Sequence, residues 1–198
     1  MTPWEHHPDL QRDRLIEIGR LIQQGRVDAL DRQDLNVGST PWTVGCEAFA
    51  FGTHRISEAA LLHNWLDILQ PGMQFVFSIG EVPVRFYKGA PDEPNKRTLR
   101  QTYSELHQLS LFGLDEIVSP DLLYRFAVET DFDGTVAAIS FVVLDGEAAV
   151  LTWNVPLDEP VVRIARLDIP DAEGVTLPKP SVIAPDQDQG KKDGTDDE

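Results

Sequence analysis

Apolar residues recur at helical spacing in the first third of the chain, which predicts two helices there. The first covers residues 9–31, where Asp9 is a good N-cap residue and leucine and isoleucine follow at intervals of three and four. The second covers residues 41–64 and begins with Thr40 and Pro41, a capping hydroxyl followed by proline at the first helical position. Because this second helix is rich in small residues, we expect it to pack closely against a helix on one side and a sheet on the other.

Apolar and polar residues then alternate, which predicts strands. Residues 73–79 and 82–88 flank Gly80-Glu81, a two-residue loop with glycine first that favours a β-hairpin. A third helix is predicted over residues 96–112, with Asn95 as its cap.

Three more strands follow. Residues 124–131, 135–144 and 147–155 alternate in the same way and are joined by Asp133-Gly134 and Asp145-Gly146, which are strong two-residue turn signals. They predict a three-stranded antiparallel meander.

The predicted fold class is therefore α+β. Its order is two N-terminal helices, a β-hairpin, a third helix and a C-terminal three-stranded meander, with the helices packed on one face of a mainly antiparallel sheet. We expect one globular domain over residues 1–169, in which residues 161–169 form one more strand or a cover segment. Residues 170–198 are dominated by Pro, Gly, Asp, Gln and Lys and are predicted to be a disordered acidic tail.

One face of the predicted sheet is too apolar to be bare. If the two-residue turns fix the register, Val142, Leu144, Leu151 and Trp153 share the face opposite the core. A sheet face open to solvent does not normally carry such a patch. We expect another part of the chain to cover it, or a partner or a second copy of the chain to bind it.

The same face carries the best candidate for a small-ligand site. Arg85 and Tyr87 from the hairpin, and Arg125 and Glu129 from the meander, lie together if the two β units share one sheet. Two guanidinium groups beside an aromatic ring suit a carboxylate or a phosphate. The alternative is a set of salt bridges to the acidic surroundings.

No motif points to a metal, a cofactor or a reaction. Cys46 and His54 share a helix face, but eight residues separate them by about 12 Å, too far for a nucleophile and its base. Only His54 and Glu58 are spaced to touch one ion, and two ligands are not a site. The chain has no phosphate-binding glycine loop and no catalytic signature, so we predict no cofactor and lean against an enzyme.

Charge gives the clearest functional signal. The formal net charge is −16, and 16 acidic and 5 basic residues fall in residues 129–198, against 17 and 12 in residues 1–128. Such a field opposes direct binding to nucleic acid or to anionic membranes and attracts basic partners. A single cysteine, and no apolar run near the ~18 residues of a membrane span, predict a cytoplasmic protein that does not enter membranes.

Three functional hypotheses follow. The first is a small acidic interaction module that binds or inhibits a basic partner protein. The second is an anionic-ligand-binding protein or enzyme that uses Arg85, Tyr87, Arg125 and Glu129. The third is a structural component of an assembly, or a homodimer formed through Val142, Leu144, Leu151 and Trp153.

Overall fold

The computed structural model describes residues 1–111 and 122–158, with only the backbone described for 108–111. All of these residues belong to one compact unit, Met1–Val161. The predicted strand or cover segment at 161–169, the domain boundary at 169 and the predicted tail at 170–198 lie outside the described residues.

The described chain runs as three helices, three strands, a fourth helix and three more strands, which confirms the α+β class. The helices are α1 (Pro3–His6), α2 (Arg12–Asp31), α3 (Pro41–Ala60) and α4 (Tyr103–Leu111). The strands are β1 (Leu66–Gln70), β2 (Val76–Ile79), β3 (Val82–Lys88), β4 (Leu122–Thr130), β5 (Val136–Asp145) and β6 (Ala148–Asn154).

The six strands form one sheet in chain order, β1-β2-β3-β4-β5-β6. All neighbours are antiparallel except β3 and β4, which run parallel with Val84 opposite Tyr124 and Lys88 opposite Val128. Parallel neighbours need a crossover connection, because the chain must return to the same end of the sheet. Residues 89–111, the described part of this connection, are called the crossover segment below.

The main core lies between the first face of the sheet and helices α2 and α3. Apolar residues at helical spacing in α2, together with Ile56 and Ala59 of α3, meet the inward side chains of all six strands. The largest of the fully buried side chains on this face are those of Phe77, Tyr124, Phe126 and Phe141. The helical and strand periodicities of the sequence therefore converge on one apolar layer.

The second face is covered by the crossover segment. A smaller apolar cluster, Leu123, Ala127, Val142 and Leu144, packs there against Tyr87 and Leu99. The expectation that all helices pack on one face is therefore wrong for α4, whose Glu105 reaches Arg125 on this second face. Intramolecular cover explains why this face is apolar.

A β-bulge corrects the predicted face assignments in β6. Leu144 pairs with Ala149, whereas Val143 pairs with Leu151, so the register shifts by one residue between these pairs. A one-residue shift moves every later side chain to the other face. Leu151 and Trp153 consequently join the main core, while only Val142 and Leu144 remain on the second face.

The four residues predicted to form an interaction surface are therefore mostly buried inside the protein. Val142 and Leu144 are fully buried, Leu151 is buried and Trp153 is half-buried, with its ring edge-on to that of Trp4. These four side chains offer no shared exposed patch to a second copy of the chain.

None of the helices in the described part of the chain combines the length and the apolar character that a membrane span requires.

Candidate functional site

The structure brings the predicted cationic residues together on the second face. Arg85 and Arg125 are direct register neighbours across the parallel strands β3 and β4, and Tyr87 and Glu129 follow further along the same face. Burial raises the pKa of Tyr87 to about 12, an effect that the nearby Arg125 opposes. The hydroxyl is therefore neutral at physiological pH.

Glu105 of α4 completes this cluster, and the sequence analysis did not identify it. Its Oε1 lies 2.6 Å from Nη1 of Arg125, and its Oε2 lies 3.8 Å from Nη1 of Arg85. Oε2 also accepts hydrogen bonds from the amide and the hydroxyl of Thr102, at 2.8 and 3.0 Å. Thr102 and Glu105 have the spacing of a capping box, so one carboxylate both caps α4 and pairs with a buried guanidinium.

The other donors of the cluster hold the crossover segment to the sheet. Arg125 Nε donates to the Thr98 carbonyl at 3.2 Å, and Arg85 Nη1 donates to the Arg100 carbonyl at 3.1 Å. The Tyr87 hydroxyl donates to the carbonyl of Ala90 at 2.9 Å. These bonds give the two arginines and the tyrosine a structural role.

Two buried polar atoms in this cluster nevertheless have no hydrogen-bond partner among the described residues. They are Nη2 of Arg125 and Oγ1 of Thr98, in side chains that are only about 1% and 4% exposed. Burial lowers the pKa of Arg125, Glu105 raises it and Arg85 lowers it again. The cluster thus combines two cationic side chains with one buried carboxylate.

A different region carries exposed apolar side chains. Leu35, Val37 and Trp42 lie within eight residues of chain at the connection from α2 to α3 and are 74%, 81% and 76% exposed. Isolated exposed apolar residues are ordinary in proteins, but three large ones at one turn are typical of a binding surface.

Hydrogen bonds define the backbone of this turn. The Asp34 carboxylate accepts the amide of Asn36 at 2.8 Å, and the hydroxyl of Ser39 accepts the amide of Asp34 at 3.0 Å. A capping box between Thr40 and Thr43 then starts α3. Leu35 and Val37 are therefore presented on an ordered backbone although neither is buried.

Acidic residues lie near these apolar residues in the chain. Asp31, Asp34 and Glu47 are exposed along the same stretch of chain. The one arginine of this stretch, Arg32, lies over the ring of Phe51, and Arg55 further along α3 donates to Asp28 at 2.7 Å. We call Leu35, Val37 and Trp42, with Asp31, Asp34 and Glu47, the α2–α3 corner.

One described group of side chains has the composition of a metal site. Donor atoms of His7, Asp9 and Glu81 lie within 4.8 Å of one another. They already hold local contacts, because His7 Nδ1 accepts the Asp9 amide, and Asp9 accepts the Glu81 amide and the Arg14 guanidinium. The group therefore fastens the N-terminal segment to the turn between β2 and β3.

The chain has no significant match to a protein-family model, to a curated protein or to a solved structure.

The signals for the missed residues differ in strength. The capping-box spacing of Thr102 and Glu105 is readable in the sequence and, with an arginine on a neighbouring strand, would have suggested the ion pair. The exposure of Trp42 is not readable, because tryptophan in a helix rich in small residues is typical of a buried packing position.

Proposed function

We propose that this protein is an acidic interaction module that binds a basic partner protein in the cytoplasm through the α2–α3 corner. The observation that carries the proposal is the exposure of Leu35 and Val37 on a hydrogen-bonded turn and of Trp42 at the start of α3, along a stretch of chain that also exposes carboxylates.

Apolar contact and charge have different roles in this binding. Burial of a large apolar side chain contributes roughly 1.5–3 kcal/mol, and an ordered turn reduces the entropy lost on association. Asp31, Asp34 and Glu47, supported by the net charge of −16, favour encounter with a cationic surface and disfavour acidic partners. The single cysteine, Cys46, is exposed and free, which fits a reducing compartment.

The test compares capture of proteins from the native cell extract by three immobilised forms. These are the wild type, the double variant Leu35→Ser with Trp42→Ala, and the control Phe132→Ala, which removes a fully exposed ring between β4 and β5. We expect the wild type and the control to retain a basic protein at about 50 mM salt, and to release it as the salt concentration is raised towards about 500 mM. The double variant should not retain it.

The captured protein is then purified and titrated. A fluorophore on Cys46, one helical turn after Trp42, reports binding at the corner directly. Equal affinity of the captured protein for wild type and double variant would show that the corner is not its binding surface. Binding that is indifferent to salt would remove the electrostatic part of the proposal.

A further inference from the structure

We propose that Arg125 and Thr98 bind a small monovalent anion, of the size of chloride, nitrate or formate, beneath the crossover segment. The proposal is independent of the α2–α3 corner and of any protein partner. It rests on hydrogen-bond donors that the structure leaves unsatisfied in a buried and positively charged place.

The first step is the count of donors on Arg125. A guanidinium has five N–H groups in a planar fork. Nε donates to the carbonyl of Thr98, and Nη1 donates to the carbonyl of Tyr124 and faces the carboxylate of Glu105. Nη2 is buried and has no partner. Buried charged donors that lack a partner are costly, so the site calls for an acceptor.

The second step is the position of Thr98. In a guanidinium, Nε–H and one N–H of Nη2 point the same way from one edge of the plane. Since Nε already reaches the Thr98 carbonyl, the residue with the unsatisfied hydroxyl lies at the edge with the unsatisfied N–H. Both groups can donate to one acceptor.

The third step is charge. Arg85 and Arg125 carry two positive charges, and Glu105 is the one carboxylate of the described residues that pairs with either of them; its oxygens are already engaged by Arg125 Nη1 and by Thr102. Water would satisfy the hydrogen bonds of Nη2 but leave the excess positive charge. An anion accepts these hydrogen bonds and also balances the positive charge.

The fourth step is size. Nη2 and the Thr98 hydroxyl are closed to solvent, so the proposed ligand must be a small one. This excludes nucleotides and phosphate esters. Two of the four residues predicted from the sequence do not belong to this site, because Tyr87 donates to the carbonyl of Ala90 and the carboxylate of Glu129 repels an anion.

The experiment measures stability against anion identity. Unfolding by urea is followed in mixtures of sodium chloride and sodium gluconate at a constant ionic strength of about 0.3 M, which holds general screening fixed. Nitrate and formate replace chloride in separate series. The proteins are the wild type, Thr98→Val, Thr98→Ser and the control Thr152→Val, which alters an exposed threonine of β6. Chloride NMR line broadening measures binding to the folded wild type independently.

We expect chloride to stabilise the wild type, Thr98→Ser and Thr152→Val, and not Thr98→Val. Once the site is mostly filled, the unfolding equilibrium constant should fall about tenfold for each tenfold rise in free chloride. The folded wild type should broaden the chloride NMR line, and Thr98→Val should not. The proposal would be overturned if chloride and gluconate stabilised the wild type equally, or if Thr98→Val kept the full stabilisation by chloride. It would also be overturned if the folded wild type did not broaden the chloride NMR line; the donors would then be assigned to water.

Discussion

Gly25 in α2 and Gly52 in α3 bring their backbones together so closely that a Cβ on Gly25 would lie 2.5 Å from the amide nitrogen of Gly52. No side chain separates the two helices at this point. The small residues of α3, which the sequence marks as unusual, are explained here by direct contact between helix backbones.

Gly25→Ala should therefore destabilise the protein although alanine is the better helix former. The methyl group meets backbone that cannot rotate away, and such overpacking costs about 1–3 kcal/mol. Urea unfolding measures the loss. The matched control is Gly45→Ala in α3, where an added Cβ meets nothing within 4 Å and alanine should gain roughly 0.5–1 kcal/mol. Equal effects of the two changes would contradict the close contact.

Glu105→Gln should cost about 3–5 kcal/mol in the free energy of unfolding, because it leaves the buried guanidinium of Arg125 without its carboxylate. Glu93→Gln, a change at an exposed position of the same crossover segment, is the control and should alter stability little. The double change Glu105→Leu with Arg125→Met removes both charges and should recover much of the loss. A loss in the double variant as large as the sum of the losses in Glu105→Leu and Arg125→Met alone would show that the pair is not coupled.

Stability should fall as the pH drops from about 7.5 to about 5.5. Burial lowers the pKa of both His6 and His7 below 6.5, although Asp9 and Glu81 partly oppose this at His7. The unfolded chain therefore binds more protons than the folded chain in this range. The stabilisation is complete above the unfolded pKa and is lost as the pH falls towards the folded pKa.

His7→Asn tests this pH dependence, because the asparagine oxygen can accept the Asp9 amide but does not titrate. We expect a flatter curve of unfolding free energy against pH than in the wild type, and an unchanged slope in the control His54→Asn at an exposed position. The carboxyl groups of Asp28 and Asp133 have pKa values lowered by hydrogen bonds with Arg55 and Thr135, respectively. Their contribution is present above their ordinary pKa of 3.8 and is lost at more acidic pH.

Asp9→Ala should loosen the hairpin of β2 and β3. The carboxylate accepts the amide of Glu81 at 3.1 Å and pairs with Arg14 at 3.3 Å, and the loss of such a part-buried hydrogen bond costs about 0.5–1.5 kcal/mol. Hydrogen exchange at Glu81 should become faster while exchange in β5 changes less. Uniform acceleration across both strands would indicate a global effect instead.

Local chemistry made the turns and the long helices predictable. The glycines of Gly80-Glu81, Asp133-Gly134 and Asp145-Gly146 all have positive φ, and α2 lies within the predicted residues 9–31. Glycine adopts this backbone conformation at little cost, so the signal is strong in sequence. The bulge in β6 has no comparable signal, and it moved Leu151 and Trp153 to the opposite face.

The third helix shows what tertiary contacts decide. It begins at Tyr103 rather than at residue 96, because Asn95 caps a separate turn through the amides of Arg97 and Thr98. Residues 98–102 then run beneath the sheet to meet Arg85 and Arg125. The sequence pattern predicts no strand at β1, which lies between the predicted helix ending at residue 64 and the first predicted strand beginning at residue 73. The sequence predicts that the candidate ligand residues share one face of the sheet. The pairing of Glu105 with Arg125 depends on where α4 packs, which the sequence pattern does not give.

The sheet consists of two antiparallel halves, β1–β3 and β4–β6, which are joined by the parallel contact between β3 and β4. Strands β1–β3 and β4–β6 can each form between neighbours in the chain, whereas the contact between the halves must wait for a long connection to close. We expect this contact to limit the rate of folding. Truncation of Phe86 or Phe126, which pair across this contact, should then slow refolding.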